Sequence, residues 1–187
     1  FSEHTISDDF DGAASLYPVD LDSDGDIDVL GASQLSDEIT WWENDGDQDF
    51  TEHLINDNYD NLKAVYAMDF DEDGDMDVLA GSQSVVGFHW WENDGEEDFN
   101  MREIWFTYIG TQSYYASDVD SDGDLDLLVA CKIASEIFWV DYNDEGEFDY
   151  HTVSGGNDSF IYARSVHASD MDGDGDIDVL GAGLGAD

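Results

Sequence analysis

Short apolar runs alternate with polar, turn-rich stretches along the whole chain, and no stretch keeps a helical period. Typical runs are Ala64-Val65-Tyr66-Ala67-Met68, Ile27-Asp28-Val29-Leu30-Gly31-Ala32 and Ile39-Thr40-Trp41-Trp42-Glu43-Asn44. They are rich in β-branched and aromatic residues, which fit a pleated surface. Turn residues close them, as in Asn44-Asp45-Gly46 and Asn93-Asp94-Gly95, where Asn and Gly tolerate positive φ. Pro18 is the single proline, so the runs are uninterrupted. The pattern predicts an all-β chain.

The runs repeat. Phe1, Phe50, Phe99 and Phe148 recur at a spacing of about 49 residues, and each opens a short alternating segment such as Thr51-Glu52-His53-Leu54-Ile55. An aromatic segment recurs at Trp41-Trp42, Trp90-Trp91 and Phe138-Trp139. Repeat units of about 1–49, 50–98, 99–147 and 148–187 follow, forming a single repeat domain. Each unit predicts four strands: after the Phe, before an Asp-rich motif, after that motif, and the Trp segment. Four strands in about 49 residues is the size of a propeller blade, so a β-propeller of four-stranded blades is expected. A β-solenoid is the alternative, although its repeats are usually shorter. Small residues on the third strands (Gly31-Ala32, Ala80-Gly81, Ala130, Gly181-Ala182) suit strands close to a central axis. The fourth unit is incomplete, because Asp187 aligns with Asp37, just before the Trp segment. A fragment, a four-bladed ring with an unfilled slot, and a gap filled by a neighbouring chain all fit.

Composition narrows the partners. The 187 residues suffice for one domain with a real core. Lys and Arg number 4 against 48 Asp and Glu, a formal net charge of −44. Such a surface repels nucleic acid and anionic lipid and attracts cations. No stretch is long and apolar enough to span a membrane, so no membrane insertion is expected. The lone Cys131 follows an apolar run, which points to packing rather than reactivity. A chain starting at Phe1 reads as a processed mature protein or an internal fragment.

The chemistry lies in one motif, D-x-D-x-D-G-D-x-D, present four times. Its aspartates are Asp20, Asp22, Asp24, Asp26 and Asp28; Asp69, Asp71, Asp73, Asp75 and Asp77; Asp118, Asp120, Asp122, Asp124 and Asp126; and Asp170, Asp172, Asp174, Asp176 and Asp178. Calcium takes roughly six to eight hard oxygen ligands at about 2.3–2.6 Å. Carboxylates at positions 1, 3 and 5 of a tight loop converge, Gly at position 6 permits the turn, position 7 offers its carbonyl, and position 9 a carboxylate. One Ca²⁺ per loop, about four in all, is expected. A merely solvated acidic loop would not keep this spacing four times. Zn²⁺ would want His or Cys, and Mg²⁺ a near-octahedral site. The first nine positions are similar to an EF-hand loop, but position 12 holds Gly31, Ala80, Val129 and Gly181 where that loop needs Glu. The loops therefore join strands, not helices.

The Asp loop with its following Asp-Val/Leu-Leu run resembles the hallmark of the VCBS/FG-GAP repeat family. The Trp-Trp-Glu-Asn-Asp-Gly segment resembles its bacterial secreted branch. The resemblance implies a calcium-stabilised propeller outside the cell. Its implied ligands are the aspartates at positions 1, 3, 5 and 9 of each loop, with the position 7 residue acting through its carbonyl. It also implies service in adhesion, in glycan binding, or as an accessory domain of a secreted enzyme. Propellers of this family have more blades than the four repeats here supply.

No catalytic constellation stands out. Gly-x-Ser-x-Gly, His-Glu-x-x-His and phosphate-cradling Gly loops are all missing. His4, His53 and His151 share one repeat column with Arg102, an outward strand position; His89 and His167 are unique to their repeats. Within each aromatic pair the two side chains face opposite sides of a strand, one packed between blades, the other either packed as well or exposed on an outer strand for a sugar or partner chain. Trp105 and Tyr114-Tyr115 fall outside the repeat consensus and are candidates for a specific contact. The expected function is a non-catalytic, secreted structural or adhesive module. In that reading it self-assembles into a polymer or filament through strand complementation at an open edge. The alternatives are a lectin-like module and a non-catalytic domain of a larger secreted enzyme.

Overall fold

The computed structural model describes residues 3–84, 86–96, 98–143, 147–154 and 162–184, with the backbone alone at 86–88 and 103–109. Phe1, Asp187 and the side chain of Trp105 lie outside this description. Every regular element is a strand, and no helix occurs among the described residues. The first sheet holds β1 (Ala13–Val19), β2 (Asp28–Ser33), β3 (Ile39–Asn44) and β4 (Phe50–Asn56). The second holds β5 (Leu62–Met68), β6 (Asp77–Ser82), β7 (Val86–Asn93) and β8 (Phe99–Ile109). The third holds β9 (Thr111–Ser117), β10 (Asp126–Cys131), β11 (Glu136–Tyr142) and β12 (Phe148–Ser154). The fourth pairs β13 (Ala163–Ser169) with β14 (Asp178–Gly183). Strands pair antiparallel and in chain order throughout.

The sheets begin one strand later than the sequence units. The segment after each Phe is the last strand of the preceding sheet, not the first of its own: Asn44 pairs with Phe50, and Asn93 with Phe99. The reason is local. Asn-Asp-Gly closes a tight hairpin, so the strands flanking it must be neighbours. In the first unit no Trp segment precedes Glu3–Ile6 in this sequence, and those residues form no strand.

Successive sheets pack face to face. Leu30, Ala32 and Trp41 of the first meet Val65, Val78 and Trp91 of the second. Leu79 and Trp90 then meet Leu127, Val129 and Phe138. Leu128 and Ala130 meet Val166 and Ala168. Both faces of the inner sheets are thereby covered, so β6 and β10 are buried at every position. Among the described residues, the fourth sheet shows no packing against the first of the extent seen between successive sheets.

Two expectations change here. The Trp strands are third in their sheets, with β4, β8 and β12 outside them. Trp41, Trp42, Trp90, Trp91 and Phe138 are all buried, and Trp139 is half-buried, so neither member of the first two pairs is exposed. Trp42, on the face of the first sheet away from the second, is met edge-on by Phe10 at 4.8 Å. The small residues also have another cause. Their strands are second in the sheets, while the first strands β1, β5, β9 and β13 approach one another. A Cβ on Gly31 would lie 2.7 Å from Trp42 Cζ3, and one on Gly81 2.6 Å from Tyr114 Oη. These glycines make room for rings. Gly81→Ala is expected to cost about 1–3 kcal/mol, read as a lowered denaturation midpoint with unchanged m.

Cys131 is fully buried beside Thr111 Oγ1 at 3.8 Å, and burial pushes its thiol up to about 12. That environment suits packing, not nucleophilic chemistry.

Candidate metal centre

The Asp loops join the first strand of each sheet to the second: residues 20–27, 69–76, 118–125 and 170–177. All four therefore sit at the same end of their sheets. Their turn needs left-handed backbone at position 6, where Gly25, Gly74, Gly123 and Gly175 have φ of 102°, 104°, 112° and 99°. Position 4 is left-handed as well, at Ser23, Glu72, Ser121 and Gly173.

The loop's own amides hold its carboxylates inward. Gly25 N donates to Asp20 Oδ2 at 3.1 Å, Asp24 N to Asp22 Oδ1 at 3.1 Å, and Asp26 N to Asp24 Oδ1 at 2.8 Å. The second loop repeats two of these, Gly74 N to Asp69 Oδ2 at 3.1 Å and Asp75 N to Asp73 Oδ1 at 3.0 Å. The fourth loop keeps all three.

Position 9 has a role that the spacing did not reveal. Asp28 accepts from Leu21 N at 2.9 Å and Asn44 N at 2.8 Å; Asp77 accepts from Phe70 N at 3.0 Å and Asn93 N at 2.8 Å. Asp126 and Asp178 accept from Val119 N at 2.7 Å and Met171 N at 3.0 Å. The residue thus clips the loop's entry to its exit and, in the first two sheets, to the end of the Trp strand. Asn44 and Asn93 complete the clip through Nδ2, donating to Ile27 O at 3.1 Å and Met76 O at 3.2 Å. The recurrence of Asn after Trp-Trp-Glu was the available signal for these two residues.

Ligand atoms within 4.8 Å of one another come from Asp20, Asp22 and Asp28; from Asp69, Asp71 and Asp77; from Asp118, Asp120 and Asp122; and from Asp170, Asp172 and Asp178. Position 5 joins its group only at Asp122; Asp24, Asp73 and Asp174 lie outside, as does Asp126 at position 9. At position 7 the side chains of Asp26 and Asp75 turn toward Gly46 and Gly95, while Asp124 lies beside Glu72. Asp176 is exposed.

Electrostatics argue for a cation. Asp20 Oδ1, Asp69 Oδ1, Asp71 Oδ1 and Asp118 Oδ1 are buried without a hydrogen-bond partner. Buried polar atoms in that state call for an ion or water. Burial is the main cause raising the carboxyl groups of Asp22, Asp28 and Asp71, and neighbouring carboxylates add to it. The same causes push Asp77 and Asp126 up to about 7, against backbone amides that favour the charged form. A divalent ion would relieve both the burial and the repulsion. The donor set is all hard oxygen, which suits calcium. The fourth group is the exposed one, so its site is expected to be the weakest.

The sign of the pH effect follows. A carboxyl raised from 3.8 to about 7 binds its proton more tightly when folded. Without ions, that contribution is complete below pH 3.8 and disappears as pH rises through about 7. Ion-free protein should therefore lose stability across this window, the reverse of an ordinary carboxylate. Ion affinity should change oppositely, falling as pH drops below about 7 and protons compete. Calcium titrations at several pH values, with proton release measured, check both.

The basic column is paired. His53 Nε2 lies 2.7 Å from Glu43 Oε2, Arg102 Nη2 2.5 Å from Glu92 Oε2, and His151 Nε2 3.8 Å from Asp141 Oδ1. His53 and His151 also stack on Trp41 and Trp139 at 4.5 and 3.9 Å. His89 is buried against Tyr59, Nδ1 to Oη 2.5 Å, and His167 packs on Tyr115 at 4.1 Å. His4 lines a small apolar pocket with Phe10 and Trp42.

Strand-linking Asp loops repeated at one end of stacked antiparallel sheets define an all-β repeat protein whose loops could hold metal ions. The model of the FG-GAP-like repeat matches residues 20–80, 69–129 and 118–181, each match running from one Asp loop into the strand beyond the next. The chain belongs to the FG-GAP-like repeat family. No curated protein matches it. No helix among the described residues is long and apolar enough to cross a membrane.

Proposed function

We propose that the chain is a calcium-stabilised, non-catalytic structural or adhesive module working outside the cell, with its sheets arranged as propeller blades. The observation that carries this reading is the set of buried, unpartnered oxygens on Asp20, Asp69, Asp71 and Asp118 inside repeated carboxylate groups. The ions would be held by positions 1, 3, 5 and 9 of each loop and by the carbonyl at position 7. Bound there, calcium supplies the positive charge that lets these carboxylates stay ionised together. The loops and the position 9 clips then fix the first and second strands of each sheet and, in the first two sheets, the third strand as well.

In the same reading the module self-assembles. β2, β6 and β10 each have a Trp strand on their outer side, whereas β14 pairs only with β13 among the described residues. Leu180 beside that edge is 39 % exposed and Met171 62 %, while their counterparts Leu30 and Leu21 are buried. A Trp-type strand from a second copy would cover that edge and continue the stack head to tail. Light scattering and electron microscopy in calcium test this. Growing oligomers or filaments support it, and a monomer at every concentration removes the assembly arm.

A further inference from the structure

The first strands of the four sheets carry an aromatic ring at one repeated position, Tyr17, Tyr66, Tyr115 and His167. The register is the same in each sheet: Tyr17 pairs with Leu30, Tyr66 with Leu79, Tyr115 with Leu128 and His167 with Leu180. Because β1, β5, β9 and β13 approach one another, rings at this level meet across sheets. Tyr17 meets Tyr66 with ring centroids 4.4 Å apart, and Tyr115 meets His167 at 4.1 Å.

The Tyr17–Tyr66 pair differs from the ring pairs of the core in two respects. Both rings are half-buried, and both line a cleft of about 570 Å³ along β1, β5 and β9. Both are also phenols, and the two side chains lie hydroxyl beside hydroxyl. Their backs are fixed, Tyr17 against the cluster joining the first two sheets and Tyr66 against the cluster joining the second and third. Aromatic pairs usually sit about 4.5–7 Å apart, so these rings touch at the near limit, with their planes crossing at 42°.

We propose that Tyr17 and Tyr66 are an oxidative modification site, where hydrogen peroxide acting through a haem peroxidase joins the two rings in a dityrosine crosslink. Each phenol gives one electron and one proton to the oxidant and becomes a phenoxyl radical. The two radicals pair their electrons in a new bond between ring carbons ortho to the hydroxyls. Each ring then regains aromaticity by moving its ortho hydrogen to its own oxygen. Two hydrogens leave the protein, and one peroxide becomes two waters as its O–O bond breaks. Fixed contact raises the effective concentration of one radical beside the other, which favours this bond over one between chains. The single cysteine, Cys131, is fully buried, so no disulfide within the chain joins its sheets and that thiol does not intercept the oxidant. The crosslink would tie β1 to β5, one repeat apart, along the edges that their own sheets leave unpaired. This inference goes beyond the structural reading and does not depend on calcium in the loops.

The test oxidises the whole chain, dilute and in calcium, with a haem peroxidase and hydrogen peroxide. The product should run as one chain on a denaturing gel, weigh two hydrogens less and show dityrosine fluorescence. Digestion at acidic residues and mass spectrometry should map the bond to Tyr17 and Tyr66. Tyr17→Phe and Tyr66→Phe keep the rings and remove the hydroxyls, so their melting curves should match the parent while the crosslink falls about tenfold or more. Tyr150→Phe, at a more exposed ring on β12, should leave the yield unchanged. Denaturing the parent before oxidation should lower the intrachain yield about fivefold or more. No intrachain dityrosine would overturn the proposal. So would a bond mapped to other tyrosines, a yield that survives Tyr66→Phe, or an equal yield from the unfolded chain.

Discussion

Asp77→Ala is expected to cost the calcium-loaded protein about 4 kcal/mol or more, while Asp178→Ala costs about 1 kcal/mol or less. Both residues hold position 9 of their loops. Asp77 is fully buried and accepts from two amides, Phe70 N and Asn93 N. Removing it leaves both amides buried without a partner, at roughly 1–3 kcal/mol each, and opens the carboxylate group. Asp178 is exposed and accepts from Met171 N, which water can replace. The Asp77 cost should shrink sharply in chelator above pH 7. There the buried carboxylate, raised to about 7, is itself unfavourable, at about 1.4 kcal/mol per pKa unit. Denaturant unfolding of both variants, with calcium and with chelator, measures all four values. Equal costs at the two positions, or a cost for Asp77 independent of calcium, would count against the role assigned to the clip.

Trp91→Ala should be the most damaging core substitution, at about 3–5 kcal/mol. Trp91 is 1 % exposed and lies in the cluster joining the first two sheets, with Tyr59 edge-on at 5.4 Å. Domains of this size have only about 5–15 kcal/mol of stability, so the variant should sit near its unfolding threshold. Leu54→Ala, on edge strand β4 and 56 % exposed, should stay within about 0.5 kcal/mol. Similar losses in the two variants would mean that the sheets do not depend on the face-to-face packing described.

Particular residues show what was legible in the sequence. Strand identity followed from runs such as Ala64–Met68, and loop identity from glycines that proved to have positive φ. The starting point of each sheet was not legible, because a periodic sequence has no marked origin. The Asn44-Asp45-Gly46 hairpin decided it by making β3 and β4 neighbours. Burial of both Trp41 and Trp42 was hidden for a related reason: exposure of a strand face depends on what packs over it, here the second sheet on one side and Phe10 on the other. At the loops, spacing gave the residue types but not their division of labour. Position 5 joins its group only at Asp122, although in all four loops that carboxylate accepts from the amide two residues on. Position 9 looked like a ligand alone, and its use as an amide clip needed the third strand in place.

In the proposed module, bound ions hold these carboxylates together. Calcium bound per chain, measured by equilibrium dialysis alongside thermal unfolding, tests it most directly. The expected result is uptake approaching one ion for each of the four aspartate groups, with a melting temperature that falls steeply in chelator. No uptake, together with a melting curve indifferent to chelator, would contradict it.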